Sequence, residues 1–375
     1  MNVPFYDHAR LYEASRGVIN AAMARVLTSG RLDWGPEVPA FETEFADWLG
    51  ARHVVSVGSG TTALLTGLLA LGIGPGDEVI TVPNTDIACS SAIRFAGARI
   101  VWVDVDPATR CMDPEAAAAA VTPRTKALMP VDLYGHPADY PALRDLASRH
   151  GLAIVEDACL ALGAEVGGQK VGTFSDVTCF SFAPTKHLGA FGSAGACATQ
   201  DADLAAKVQQ ISAYGQSRAQ HLQTFGGAGA MLHHTTDGLN ARTDELQAAV
   251  LRAKLPMLDA TLATRRRQAE RYGAGLAGTG IDLPEEHGDV LHAWRNYVIE
   301  TDDRDGLRAR LDERGIGTNT PYAPPMHLQP VYADLGYREG SFPVAERSCA
   351  RLLGLPLGPH LTDPEIEEVI EAVRV

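Results

Sequence analysis

The chain has 375 residues, 32 basic and 46 acidic side chains, and a formal net charge of −14. An apolar fraction of 46% supports a substantial core, and the acidic balance argues against nucleic acid or an anionic membrane as the main partner, since neither offers an attractive field. No apolar run approaches the ~18 residues of a membrane span, and the N-terminus MNVPFYDHARLYEASRG, carrying Asp7 and Glu13, has no apolar signal core, which points to the cytoplasm.

Residues 1–50 predict two amphipathic helices around a Gly-rich turn; the second sets Val38, Phe41, Phe45, Trp48 and Leu49 at near-helical spacing and stops at Gly50. Strands and helices then alternate. ARHVVSVGSG is a strand running into a glycine turn, TTALLTGLLALG is a helix, GDEVITVP a strand, SSAIRFAG a helix and ARIVWVDVD a strand. A short alanine-rich helix at 116–120 precedes the strand TKALMPVDLYG, the helix YPALRDLASRHG and the strands LAIVEDA, VTCFSFAP and AGACATQ. Continuous apolar strands spaced by helices predict a parallel or mixed sheet covered on both faces. DADLAAKVQQISAYG is helical. The stretch 215–236 is rich in Gly, His, Gln and Thr and reads as a dimer-interface or substrate loop; HHTT within it has no third ligand at useful spacing, so no metal is expected. The segment 243–276 is a long helix bent at Pro256. The domain boundary is set there, giving 1–255 as a large domain and 256–375 as a smaller C-terminal α+β domain.

Six scattered cysteines (Cys89, Cys111, Cys159, Cys179, Cys197, Cys349) form no CxxC pair and read as buried cytosolic thiols. Only five of the basic residues are lysines: Lys126, Lys170, Lys186, Lys207 and Lys254.

Four features can carry chemistry. GSGTTAL, Gly58 to Leu64, ends a strand and opens a helix; free N–H groups and the helix dipole favour an anion there, and Ser59, Thr61 and Thr62 add hydroxyls. Read alone, it is equally a capping turn. Asp157 in LAIVEDA and Lys186 in FSFAPTKHLG both follow apolar strands and so reach the C-terminal edge of the sheet, where ligands bind in open α/β folds. Taken singly, one is a loop carboxylate and the other a surface charge. Asn240 in GLNARTDELQAA precedes a helix and is either an amide donor to an oxyanion or a cap. Together, an anion cradle, a carboxylate and an amine on adjacent strand ends match the phosphate, ring nitrogen and aldehyde of pyridoxal phosphate.

With these residues in place the chain resembles the DegT-type sugar aminotransferases, a pyridoxal-phosphate-dependent family of the aspartate aminotransferase fold (fold type I). GSGTTAL, GIGPGDEVI, VDVDPAT, IVEDACLALGA, FSFAPTKHLG, GLNARTDELQAA, PVAERSCARLLGLPL and HLTDPEIEEVI carry the likeness in order along nearly the whole chain. The resemblance implies an α/β architecture: a large three-layer α/β/α cofactor-binding domain with a mostly parallel sheet, plus the smaller α+β domain. It implies Lys186 as the Schiff-base lysine, Asp157 as partner of the pyridine nitrogen, and Ser59, Gly60, Thr61 and Ser181 at the phosphate. Asn240 is implied to reach the phosphate of a neighbouring subunit, and hence a homodimer with shared sites. The implied reaction moves an amino group, commonly from glutamate, to a keto sugar carried on a nucleoside diphosphate, or to a keto-cyclitol.

Three positions depart from the family pattern. Asp86 in ITVPNTDIA stands where an aromatic ring normally stacks on the cofactor, Leu160 replaces a Gln or His beside its oxygen, and Ala241 replaces a common Tyr. In the smaller domain Tyr322, His327 and Arg338, around PYAPPMHLQPVY, are candidate substrate contacts. The competing readings are a dehydratase of the same fold, against which Lys186 counts, and a non-catalytic regulatory homologue, against which Lys186, Asp157 and the phosphate residues count together.

Overall fold

Two helices precede the sheet in the computed structural model, which describes residues 2–216 and 234–374. α1 (His8–Ser29) is capped by Asp7, whose carboxylate accepts the Arg10 N–H, and ends at Gly30 in the left-handed region, φ 67°. α2 (Glu37–Leu49) buries Phe41, Phe45 and Leu49, a stripe at four-residue spacing.

The strands that follow form a seven-stranded sheet. They are β1 (His53–Val57), β2 (Glu78–Thr81), β3 (Arg99–Trp102), β4 (Thr125–Leu128), β5 (Ala153–Asp157), β8 (Val177–Ser181) and β9 (Gly195–Thr199). A short hairpin, β6 (Glu165–Val166) and β7 (Gln169–Lys170), interrupts the series. The spatial order is β3-β2-β4-β5-β8-β9-β1. β9 runs antiparallel to both β8 and β1, while the β2–β3, β2–β4, β4–β5 and β5–β8 pairs are parallel. Helices α3 (Gly60–Ala70), α4 (Ile87–Phe95), α5 (Pro114–Ala119), α6 (Tyr140–His150) and α7 (Ala202–Ser212) connect the strands. The strands are buried almost throughout, which is what their uninterrupted Val, Ile, Ala and Cys content demands.

The long helix is broken rather than bent. α8 (Glu245–Lys254) and α9 (Leu258–Leu276) flank a 3₁₀ turn, Leu255–Met257, because Pro256 has no N–H to continue the ladder. Beyond it, β11 (Tyr297–Glu300) pairs antiparallel with β12 (Leu352–Leu355). With α10 (Arg304–Glu313), α11 (Pro343–Arg351) and α12 (Asp363–Arg374) they surround a separate core of Tyr272, Leu276, Tyr297, Ile299, Leu353, Ile366 and Val369. Val3 joins that core. β10 (Val290–Leu291) crosses back and pairs with β6, after which the chain runs against the 134–135 turn: Ala293 N–H donates to the Gly135 carbonyl (2.9 Å) and Arg295 N–H to the Tyr134 carbonyl (2.8 Å). Among the described residues no helix is long and apolar enough to cross a membrane.

Candidate active site

The C-terminal edge of the parallel strands opens into a cleft of about 460 Å³, large enough for a cofactor-sized ligand. β1, β5 and β8 deliver its floor. After β1 the chain turns at Gly58-Ser59 into α3, and a reciprocal capping box shapes the turn: Ser59 Oγ accepts the Thr62 N–H (3.1 Å) while Thr62 Oγ1 accepts the Ser59 N–H (2.8 Å). The hydroxyls of Ser59 and Thr62 are therefore engaged in the cap, and Thr62, an expected anion donor, does not line the cleft. Ser59, Gly60, Thr61 and Ser181 do. The first bond closing the helix turn runs from Ala63 N–H to the Ser59 carbonyl, so the Gly60 and Thr61 amides lie ahead of the ladder, where helix starts bind anions. Close approach needs glycine here: a Cβ on Gly60 would stand 2.8 Å from Ser181 Cβ and 2.9 Å from Cys159 Sγ.

Asp157 ends β5, 4% exposed. One oxygen accepts the Cys159 N–H (3.1 Å) and the other the Cys89 thiol (2.7 Å), which fixes the carboxylate plane. Burial pushes the Cys89 thiol well up, with the Asp157 charge adding to it, so it stays a donor. Lys186 lies in the loop after β8. Its N–H donates to the Ala183 carbonyl (2.9 Å), and His187 Nε2 donates to the Ala293 carbonyl (2.9 Å). Lys254 Nζ donates to the Gly189 carbonyl and holds the far end of the loop. Burial pushes the Lys186 ammonium below its ordinary value, and Arg295 adds to this against the opposing fields of Cys159, Asp157 and Asp86. The lowered value enlarges the fraction of neutral, nucleophilic amine.

Asp86 and Leu160 line the same cleft. Asp86 caps α4, accepting the Ala88 N–H at 2.9 Å, so the unusual residue also has a structural task. Tyr322 lies in the cleft with its ring stacked on Tyr134, centroids 6.2 Å apart, and burial pushes its phenol far up. The other two candidate substrate contacts are elsewhere. His327 is buried with Nε2 on Glu346 (2.9 Å) and its ring against Phe342, and Arg338 is an exposed turn residue. His327 belongs to the packing of the Pro-rich connector and Arg338 faces solvent; neither lines the cleft. Asn240 is exposed, bridges to Ala213, and does not line this cleft. Ala241 is buried and accepts the Gly58 N–H through its carbonyl. Residues 217–233 of the expected interface or substrate loop lie outside the described residues.

Sequence reasoning missed Tyr6, Arg295, Asn296 and Asn319, all of which line the cleft. Each comes from a segment far along the chain. The one available signal was an arginine inside the apolar run LHAWRNYVIE.

The residues test the fit of pyridoxal phosphate directly. Donors ahead of a helix, a buried carboxylate held in one orientation and a desolvated lysine amine share one cleft, as phosphate, ring nitrogen and aldehyde require. Comparisons agree. The chain is 47% identical over 373 residues to the dTDP-3-amino-3,4,6-trideoxy-alpha-D-glucose transaminase of Streptomyces venezuelae, covering 99% of this chain and 95% of the relative. Its fold matches the crystal structure of S. venezuelae DesV in complex with a ketimine intermediate, with a TM-score of 0.94, 46% identity and coverage of 100% and 98%. It also matches NtdA of Bacillus subtilis with bound cofactor PMP, at TM-score 0.89, 33% identity and coverage of 99% and 84%. Residues 14–374 match the family model, and the chain belongs to the DegT/DnrJ/EryC1/StrS aminotransferase family.

Proposed function

We propose that in this pyridoxal-phosphate-dependent aminotransferase Lys186 and Asp157 carry the transfer of an amino group from glutamate to a keto sugar linked to a nucleoside diphosphate. The observation that carries the reading is the meeting of Lys186, Asp157 and the Ser59–Thr61 turn in one cleft. The printed activity of the Streptomyces relative, a transaminase of a dTDP-linked amino sugar, supports the substrate class.

Lys186 would hold the cofactor through Nζ. Asp157 would accept from its ring N–H, the Gly60 and Thr61 amides with the Ser181 hydroxyl would hold its phosphate, and Asp86 and Leu160 would border it. When bound, the cofactor supplies an electron sink for charge developing at the donor's Cα. Asp157, kept oriented by Cys89 and the Cys159 amide, keeps that sink cationic. Lys186, with its amine free, would move the proton from the donor's Cα. The keto acceptor then uses the same groups in the opposite direction.

The reading includes a homodimer in which Asn240 faces the neighbouring subunit's phosphate site; its exposure outside the cleft supports this, and sedimentation showing a monomer at assay concentration would remove it. It sets the division between the two units at 255/256, which the separate core around Tyr272 supports. It places the protein in the cytoplasm, which six free thiols support.

The test is spectral. Glutamate alone should convert the visible band of the holoprotein and release one equivalent of 2-oxoglutarate per site. Lys186→Ala should lower turnover by about 10³-fold or more and Asp157→Ala by about 10²-fold or more, both with an unchanged fold by circular dichroism. Normal turnover by Lys186→Ala overturns the reading.

A further inference from the structure

Arg295 is the least explained charge in the cleft. It is 4% exposed, yet among the described residues its Nε and Nη1 have no hydrogen-bond partner. Among the described residues no carboxylate lies within ion-pair distance of it. The Tyr6 ring lies 5.1 Å from the guanidinium carbon. A buried guanidinium without a counter-charge is strongly unfavourable, and a fold keeps one where a ligand brings the missing anion.

The placement is built. The Arg295 N–H donates to the Tyr134 carbonyl, and the carbonyl of Arg295 accepts from Arg265 Nη1 at 3.2 Å, as does that of Trp294. Arg265 is itself buried, so a second cation stands behind the first. The chain is thus fixed on both sides of the position that projects Arg295 into the cleft shared with Lys186.

We propose that Arg295 is the subsite for the α-carboxylate of the amino donor. A planar guanidinium matches a carboxylate through two parallel bonds. The donor carries that group on the same carbon as the amine that replaces Lys186, so its charge falls beside the lysine. A nucleotide-linked keto sugar keeps its charge on the diphosphate, with the sugar ring between that charge and the reacting carbon. Arg295 lines the same cleft as Lys186, and its field also works against the ammonium there, which fits a group carried next to the reacting amine better than a distant diphosphate. The proposal rests on the aminotransferase reading for the identity of the donor, not for the existence of the anion site.

The experiment compares wild type, Arg295→Met and Arg295→Lys as holoproteins. Half-saturating glutamate for the spectral conversion, measured without acceptor, should rise at least about 30-fold in Arg295→Met and at least about tenfold in Arg295→Lys, which keeps the charge but loses the fork. Isoglutamine, with its α-carboxylate amidated, should be at least about tenfold poorer than glutamine in wild type and no poorer in Arg295→Met. Calorimetry with glutarate, which cannot react, should show binding to wild type and none to Arg295→Met. If wild type shows no glutamate-driven conversion, the aminotransferase reading fails, and the glutarate titration still decides the anion site. Equal half-saturation and equal glutarate binding in wild type and both variants overturn the proposal. So does a variant that loses affinity for a nucleoside diphosphate while keeping it for glutamate.

Discussion

At Gly60 two opposing effects can be ranked. Alanine near a helix start gains up to about 1 kcal/mol in propensity over glycine. The added Cβ, however, would meet Ser181 Cβ at 2.8 Å and Cys159 Sγ at 2.9 Å, both held by β8 and the Asp157 loop. Overpacking of this kind costs about 1–3 kcal/mol, so Gly60→Ala should lower the unfolding free energy in urea and weaken cofactor affinity at least tenfold by fluorescence titration. Lys186, Asp157 and Gly60 were legible in the sequence because each sits where an apolar strand ends or a helix begins, a property of neighbouring residues. Arg295 and Tyr6 were not, since they reach the cleft only through pairing of the 293–296 segment with the 134–135 turn and through docking of the N-terminus. His327 and Arg338 show the converse: polar residues in a Pro-rich connector look chemical in sequence, yet Glu346 and Phe342 occupy one and solvent the other.

Among the elements, α2 braces the strand that leads to the lysine. The Phe45 ring meets Phe180 and Phe182 of the β8 segment edge-on at 5.5 and 5.3 Å and stacks on Phe41 at 5.5 Å. Phe45→Ala should cost about 3–5 kcal/mol in urea unfolding, whereas an exposed change such as Phe95→Ala should cost little, because Phe95 has little contact to lose. The stripe that predicts this packing is plain in the sequence, as are the seven sheet strands. Their order is not, and neither is the reversal of β9, because GACAT is as apolar as its parallel neighbours and carries no mark of direction. The two-residue strands β6, β7 and β10 are too short for any periodicity. The break in the long helix was visible as Pro256, though its form, a 3₁₀ turn between two helices, depends on how α8 and α9 pack.

Across the molecule, several buried histidines are held neutral. Burial is the largest cause at each: it pushes His187 and His292 well down and His360 down to about 4, with Arg265 adding to it at His360. The unfolded chain takes up protons at these sites near the ordinary value of 6.5, the folded chain only much lower. Stability is therefore complete above about pH 6.5 and falls as pH drops toward 4, each site contributing up to about 1.4 kcal/mol per pH unit. The buried Asp132 and Glu156 carboxyls, pushed up chiefly by burial, act in the opposite sense, so the histidine share is read by difference. Between pH 6.5 and 4.5, His360→Gln should lose less unfolding free energy than wild type; equal slopes would refute this.

The most direct measurement is borohydride reduction of the holoprotein followed by peptide mass mapping. The cleft geometry predicts the pyridoxyl phosphate mass on the peptide containing Lys186 and on no other. The closest rival is Lys254, an amine that burial brings down to about 8 but whose Nζ is committed to the Gly189 carbonyl. Label on Lys254, on any other lysine, or on none would contradict the account.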